Sequence, residues 1–292
     1  MDKDEHSTEG HVSRRDFTLT AAAGVAATTV SAHAALAVTE ENVTIKTPDG
    51  VCDAAFTHPA TGRYPGVIIW TDIFGLRPTF RDMAKRLAAE GYAVLVPNPF
   101  YRTDKSPVVE DASTFNFNDP ASRQLTAKWT APINQPGAIE RDAAAFVAFL
   151  DGQKAVNTAK KIGTQGYCMG GPLVFKTVAS QSGRVGAGAT FHGGGLVTDQ
   201  PSSPHLLIPK MKAHMYIAIA ASDDSKQPDA KDKLKAAFAG AKVPAEVTVY
   251  DNMIHGWTVR DMPKQDGKPI YNQPEAERAW GKLLELYKAN IA

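Results

Sequence analysis

The sequence is poor in cysteine, has no excess of charge of either sign and shows no internal repeat or heptad array. Its 292 residues contain two cysteines, no CxxC pair and no cluster with metal-ligand spacing, which argues against a redox sensor or a metal protein. Lys and Arg number 32 against 31 Asp and Glu, whereas a nucleic-acid partner would favour a marked basic excess. We therefore expect no metal, no cofactor and no nucleic-acid partner.

The remaining composition is that of a globular protein. Hydrophobic residues make up 43% of the chain and charged residues 22%, which excludes a chain dominated by disorder. A length of 292 residues exceeds the usual size of one domain but lies within the range that α/β folds use as a single unit. One large core is therefore possible.

The first 34 residues predict an export signal. Arg14 and Arg15 stand directly before an alanine-rich apolar run, residues 17–30, which is too short and too rich in threonine to span a bilayer comfortably. Ala32-His33-Ala34 supplies the small-x-small pattern after which a signal peptidase cuts. This order resembles a twin-arginine signal peptide over residues 1–34, followed by one periplasmic domain over residues 35–292. The alternative is a disordered tail with a chance arginine pair.

The pattern of the remaining chain predicts a mostly parallel sheet with helices on both faces. Residues 43–47 and 51–57 flank Pro48-Asp49-Gly50, which indicates an antiparallel hairpin at one edge of the sheet. Apolar strand-like runs then alternate with helical segments, as in α/β folds. The runs are residues 67–70, 92–96, 161–165, 185–191, 215–220 and 245–250, and the helices cover residues 78–91, 139–150, 172–179, 229–239 and a last segment through Trp280 and Tyr287.

One segment, residues 99–136, interrupts this alternation. It carries several prolines and polar clusters and few periodic signals, which predicts a long excursion between a strand and a helix. Because such excursions leave from the carboxyl ends of strands, where ligands bind in open α/β sheets, this one could form part of a lid or pocket wall. An irregular surface loop without a role is the alternative.

Gly166-Tyr167-Cys168-Met169-Gly170-Gly171 lies between a predicted strand and a predicted helix and has the pattern of a nucleophile elbow. The nucleophile on this tight turn adopts an unfavourable backbone conformation, so the residues two before and two after it must be small. The turn also places the sulfur at the amino end of the following helix, whose N–H groups stabilise negative charge. Cys168 is therefore the candidate nucleophile, and we do not expect it to form a disulfide with Cys52.

The chain also supplies an acid and a base in the order that α/β-hydrolases use. Asp223 and Asp224 follow the run 215–220, and His255 follows the run 245–250, each on a loop after a successive strand. Sequence spacing gives only a weak indication of which of these two aspartates orients the histidine. A lone histidine is often a core or surface residue, but this position in the topology favours a general base.

The chain resembles the dienelactone hydrolase family, the carboxymethylenebutenolidases, within the α/β-hydrolase fold. The residues that carry the resemblance are Asp72-Ile73-Phe74-Gly75-Leu76, the elbow, Phe191-His192-Gly193-Gly194-Gly195, Asp223 and His255-Gly256-Trp257. The family implies a Cys168, Asp223 and His255 triad, and an oxyanion hole from the backbone N–H groups of Ile73 and Met169. Well-known members carry a glutamate, thought to hold the resting thiol, where this chain has the shorter Asp72.

The resemblance implies hydrolysis of an enol-lactone or activated ester through an acyl-thioester on Cys168. Family substrates carry a carboxylate, for which Arg123, Lys128 and Arg260 are the candidate cations. His192 and Trp257 are expected to line the substrate pocket, although Trp257 could equally belong to the core. The alternatives are a broader esterase or thioesterase on the same triad and a binding protein without catalysis.

Overall fold

A long antiparallel hairpin begins the part of the chain that the computed structural model describes, residues 35–292. Strand β1 (Val38–Thr47) pairs with strand β2 (Gly50–Pro59), with Thr47 opposite Gly50. The Thr47 hydroxyl closes the turn, because it accepts a hydrogen bond from the Asp49 N–H at 3.1 Å. The predicted hairpin is confirmed and extends further than its apolar residues indicated. The predicted export signal lies outside the described residues.

Six further strands complete an eight-stranded sheet in the order β1-β2-β4-β3-β5-β6-β7-β8. All pairs from β4 to β8 are parallel, whereas β2 pairs with both neighbours antiparallel. β3 and β4 are buried along their whole length, which explains their continuous apolar sequences. The strands are β3 (Gly66–Trp70), β4 (Ala93–Pro97), β5 (Ile162–Tyr167), β6 (Val185–Phe191), β7 (His214–Ala220) and β8 (Ala245–Tyr250).

Helices cover both faces of this sheet and enclose two apolar cores. The helices are α1 (Pro78–Ala89), α2 (Pro120–Ile133), α3 (Ala138–Asp151), α4 (Gly170–Ser180), α5 (Ala221–Lys226), α6 (Ala230–Ala241) and α7 (Gln273–Asn290). Residues of α1 and α7 share one core, and residues of α3, α4 and α6 share the other. The α/β-hydrolase architecture expected from the sequence is confirmed. No helix within residues 35–292 is both long enough and apolar enough to span a membrane.

The excursion at residues 99–136 is more ordered than its sequence pattern indicated. It contains a 3-10 helix, Ala112–Thr114, and the whole of α2. Asp119 caps α2 by accepting a hydrogen bond from the Ala121 N–H, and Pro120 occupies the first turn. Trp129 on α2 is buried, and its indole N–H donates to Asp104 at 3.0 Å. The expectation of an irregular segment was therefore wrong for α2.

Candidate active site

Cys168 occupies a sharp turn between β5 and α4 with a positive φ of 51°. A Cβ on Gly166 would lie 2.3 Å from the Gly170 carbonyl oxygen, and a Cβ on Gly170 would lie 2.5 Å from the Trp70 carbonyl oxygen. Neither position therefore tolerates a side chain. The strained backbone expected of an elbow is present, and the thiol is partly exposed beside the amino end of α4.

His255, on the loop after β8, meets Asp223 in the first turn of α5, which begins directly after β7. The Asp223 Oδ2 atom lies 2.8 Å from His255 Nδ1, and the His255 backbone N–H donates to the Ser222 hydroxyl at 2.9 Å. Asp224 is turned away and accepts from Lys231 at 2.9 Å. The structure thus brings Asp223 to the imidazole, a choice that sequence spacing left open. Ser222 had no sequence signal, because its partner is a backbone amide.

The pKa of the His255 imidazole depends on both Asp223 and Cys168. Burial lowers the pKa of His255, but hydrogen bonds with Asp223 and with Cys168, together with their negative charge, raise this pKa to about 10. Because Nδ1 faces Asp223, Nε2 is the nitrogen left for the sulfur. The arrangement can therefore hold a proton between sulfur and imidazole, as a nucleophilic thiol requires.

The Ile73 amide lies on the loop after β3, and the Met169 amide lies in the elbow itself, directly after Cys168. Phe74 N–H donates to the Asp72 side chain at 2.9 Å and Gly75 N–H donates to the Asp72 carbonyl at 3.1 Å, which fixes the backbone around Ile73. Within residues 35–292, neither the Ile73 nor the Met169 amide donates to a turn, loop or cap. Both N–H groups are therefore available for an oxyanion.

Asp72 does not make the contact with the thiol that the resemblance implied. Its two carboxylate oxygens accept hydrogen bonds from Arg77 at 2.7 and 2.9 Å, and both side chains are fully buried. The opposite edge of the guanidinium donates to Asp261 twice, at 2.8 Å each. Asp72 therefore anchors the loop after β3 to the loop after His255. The only sequence signal for this ion triad was an arginine five residues after Asp72.

A cavity of about 360 Å³ lies beside the segments that carry Asp223 and His255. Asp223 and His255 line it together with Gly193–195, Leu196 and Leu234. Lys226 also lines it, with its ammonium group 4.0 Å from Asp223 Oδ1. Lys226 was missed in the sequence, because the turn of helix that brings it beside Asp223 was not foreseen.

The three cations predicted from the sequence lie elsewhere. Arg123 is exposed on α2 and donates to the Asn118 carbonyl oxygen at 2.9 Å. Lys128 pairs with Asp104 at 2.8 Å. Arg260 lines a second cavity, which none of Cys168, Asp223 and His255 borders. None of the three therefore lines the cavity that Asp223 and His255 border.

His192 and Trp257 lie behind the imidazole and line neither cavity. The His192 ring is 5.0 Å from the His255 ring and 5.2 Å from Trp257, and its Nε2 pairs with the Thr258 hydroxyl at 2.9 Å. Burial and the charge of His255 lower the pKa of His192 far below its ordinary range, so this ring is neutral. Trp257 is fully buried and is core packing.

Comparisons with known proteins identify the family. The profile of the dienelactone hydrolase family matches residues 52–291. A protein of Methylorubrum extorquens is 27% identical over 269 residues, which cover 90% of this chain and 86% of that protein. The carboxymethylenebutenolidase of Rhodococcus opacus is 26% identical over 232 residues, which cover 78% of this chain and 82% of that protein. The dienelactone hydrolase-like promiscuous phosphotriesterase P91 from metagenomic libraries superimposes with a TM-score of 0.71 at 22% identity, covering 88% of this chain and all of that one. The chain therefore belongs to the dienelactone hydrolase family and is a hydrolase with the α/β-hydrolase fold.

Proposed function

We propose that this hydrolase cleaves an enol-lactone or activated carboxylic ester through a cysteine acyl-thioester. The observation that carries the proposal is the 2.8 Å contact between Asp223 and His255, together with a Cys168 sulfur that lies on a strained elbow and raises the pKa of His255. A thiolate is a good nucleophile toward an activated carbonyl and a poor one toward an amide. The substrate class follows from that preference and from the family.

Each step of the proposed cycle moves one proton through His255. His255 takes the thiol proton, the sulfur adds to the carbonyl carbon, and the Ile73 and Met169 amides stabilise the oxyanion. The carbon–oxygen bond then breaks, and the departing enolate or alkoxide takes the proton from His255. Water attacks the thioester and gives its proton to His255, and the sulfur leaves as a thiolate that recovers this proton. Asp223 holds the ring in one tautomer throughout.

Lys226 is the proposed partner of a substrate carboxylate, because it lines the same cavity as His255 and its side chain is 76% exposed. Lys226→Gln should raise KM for an ester that carries a carboxylate by a few-fold, since an exposed ion pair contributes about 0.2–1 kcal/mol. The neutral methyl ester of the same substrate is the matched control and should keep its KM. Equal effects on both substrates would contradict this role.

The nucleophile is tested with two cysteine variants and intact-mass spectrometry. Cys168→Ala should abolish both hydrolysis and the acyl adduct, whereas Cys52→Ala, which changes a buried thiol outside the site, should retain both. A panel of enol-lactones, aryl esters and thioesters separates the proposed specificity from that of a broader esterase or thioesterase. Unchanged turnover in Cys168→Ala would reject the proposal, and absence of any adduct in the wild-type protein would favour a binding protein.

We also propose that residues 1–34 direct export by the twin-arginine route to the periplasm, on the strength of Arg14-Arg15, the apolar run and Ala32-His33-Ala34. Cell fractionation should recover a shortened protein in the periplasm. Replacing both arginines by lysine should retain the full-length chain in the cytoplasm. A full-length chain in the cytoplasm without that replacement would contradict the proposal.

A further inference from the structure

A second cavity of about 120 Å³ lies between α1, α7 and the loop that contains residues 258–271. Its walls are largely aromatic and come from Tyr167, Phe191, Tyr271 and Trp280. Thr258 and Arg260 supply polar groups at the same cavity. None of Cys168, Asp223 and His255 lines it, so the cavity is separate from the reacting groups.

The charges around this cavity leave one cation available. Arg86 is paired with Glu277 and lies over the Trp280 ring at 4.3 Å. Asp82 is 69% exposed and lies 3.7 Å from Lys85, whose nearer partner is Glu40 at 2.8 Å. The Arg260 guanidinium lies 5.8 Å from the centre of the Tyr271 ring and makes no ion pair within residues 35–292. Arg260 is therefore the group at this cavity that can pair with an added anion.

Trp280 gives a second, independent indication of a ligand. Its side chain lines the cavity and is 7% exposed, yet its indole N–H has no hydrogen-bond partner among the described residues. A buried donor without a partner costs free energy on the order of 1–3 kcal/mol, which a ligand oxygen within reach would recover. The pocket therefore combines an unpaired cation, aromatic walls and an unsatisfied donor.

We propose that this cavity binds a small monocyclic aromatic carboxylate. A volume of about 120 Å³ is somewhat smaller than the roughly 150 Å³ that accommodates benzene, so the cavity admits no more than one ring, and the charged group of the ligand remains at the mouth. Arg260 pairs with the carboxylate, while the ring packs against Tyr271 and Trp280.

The bound ligand changes the rate of hydrolysis without competing with substrate, because two residues that line the cavity, Tyr167 and Thr258, are connected to Cys168 and His255. Tyr167 directly precedes Cys168. Thr258 pairs with His192 at 2.9 Å, and the His192 ring lies 5.0 Å from the His255 ring. A ligand that shifts Tyr167 or Thr258 therefore alters the position of the sulfur or the imidazole.

Binding is tested by calorimetric titration of sodium benzoate into the full mature protein and into its Cys168→Ala variant. Both should bind equally, because the cavity excludes the thiol. Arg260→Gln should weaken binding about tenfold or more, and Arg123→Gln, another exposed arginine, should have no effect. Acetate and benzyl alcohol, which lack the ring and the charge respectively, should bind at least tenfold more weakly than benzoate.

The kinetic arm measures ester hydrolysis at several benzoate concentrations. The expected result is a change in kcat with KM unchanged, lost in Arg260→Gln. Absence of binding, equal binding by Arg260→Gln, or purely competitive inhibition would overturn the proposal, and binding without a change in kcat would overturn the coupling. The calorimetric arm requires no turnover, so its failure is distinguishable from failure of the proposed hydrolysis.

Discussion

At the scale of single residues, the site depends on which atoms a turn of backbone brings together. The order of Cys168, Asp223 and His255 was readable in the sequence, because each follows a strand of recognisable pattern. The choice between Asp223 and Asp224 was not, since adjacent residues in the first turn of α5 point in different directions. Asp223 faces the imidazole and Asp224 faces Lys231.

Asp223→Asn should lower the pKa of His255 from about 10 toward the ordinary value of about 6.5, because the hydrogen bond with the carboxylate is the foremost of the contributions that raise it. The alkaline limb of kcat/KM should move to lower pH with it, since the imidazolium that protonates the leaving group is lost earlier. NMR titration of the His255 ring and a pH–rate profile measure the two effects. Asp224→Asn is the matched control; a larger shift there than in Asp223→Asn would reverse the assignment.

Gly170→Ala should destabilise the protein by about 1–3 kcal/mol, the usual cost of overpacking, and reduce turnover, because the new Cβ would meet the carbonyl oxygens of Trp70 and Thr71 at 2.5 and 2.7 Å. Gly281→Ala in α7 is the control, since nothing lies within 4 Å of its Cβ and alanine favours a helix interior. Urea unfolding measures both variants. Equal free energies of unfolding for the two variants would mean that the backbone of the elbow moves to accommodate the new Cβ without loss of stability.

At the scale of elements, the strands were predicted closely because most of them, such as β3, β4 and β6, are buried on both faces and have apolar sequences. The boundaries of β6 and β8 agree with the sequence to the residue, and those of β3, β4, β5 and β7 to within two residues. α2 was missed, although Asp119-Pro120 is a helix start signal, because its exposed face is polar and Pro132 interrupts its end. The aromatic residues before α2 pack on the loop after β3, with Phe115 and Phe117 rings 5.1 and 5.7 Å from Phe74.

The Asp72–Arg77–Asp261 triad escaped prediction for a related reason. Asp261 lies on the loop after β8, and only the fold brings it to the start of α1. Because Arg77 binds a carboxylate on each side, it fixes the position of the Ile73 amide relative to the loop that carries His255. Arg77 is therefore a positioning residue for the proposed oxyanion hole.

Arg77→Lys should lower kcat by roughly tenfold or more, with a smaller change in KM, because lysine cannot form paired hydrogen bonds with two carboxylates. Breaking the buried pair should also reduce the free energy of unfolding by up to about 3–5 kcal/mol. Steady-state kinetics at a temperature where the variant is folded separates the two effects. Arg81→Lys, on the same helix but partly exposed, is the control; similar kcat values for both variants would contradict the positioning role.

At the scale of the whole molecule, the sheet gathers loops after β3, β5, β7 and β8 at the carboxyl ends of its strands. Ile73, Cys168, Asp223 and His255 each follow a different one of these strands. The site can therefore form only when the complete parallel sheet is assembled, and its contacts add to the stability of the assembled fold.

The stability of the fold should consequently depend on pH through His255. Its pKa is about 6.5 in the unfolded chain and about 10 in the folded protein, so the contribution of its charged form is fully present below about pH 6.5 and is lost as the pH rises through about 10. The free energy of unfolding of the wild-type protein, minus that of His255→Gln, should thus be larger at pH 6 than at pH 10.5. Urea unfolding at both pH values measures this difference, and titration of groups remote from His255 cancels between the two proteins. A difference that stays constant, or grows, on the alkaline side would show that the imidazole carries no extra proton in the folded state.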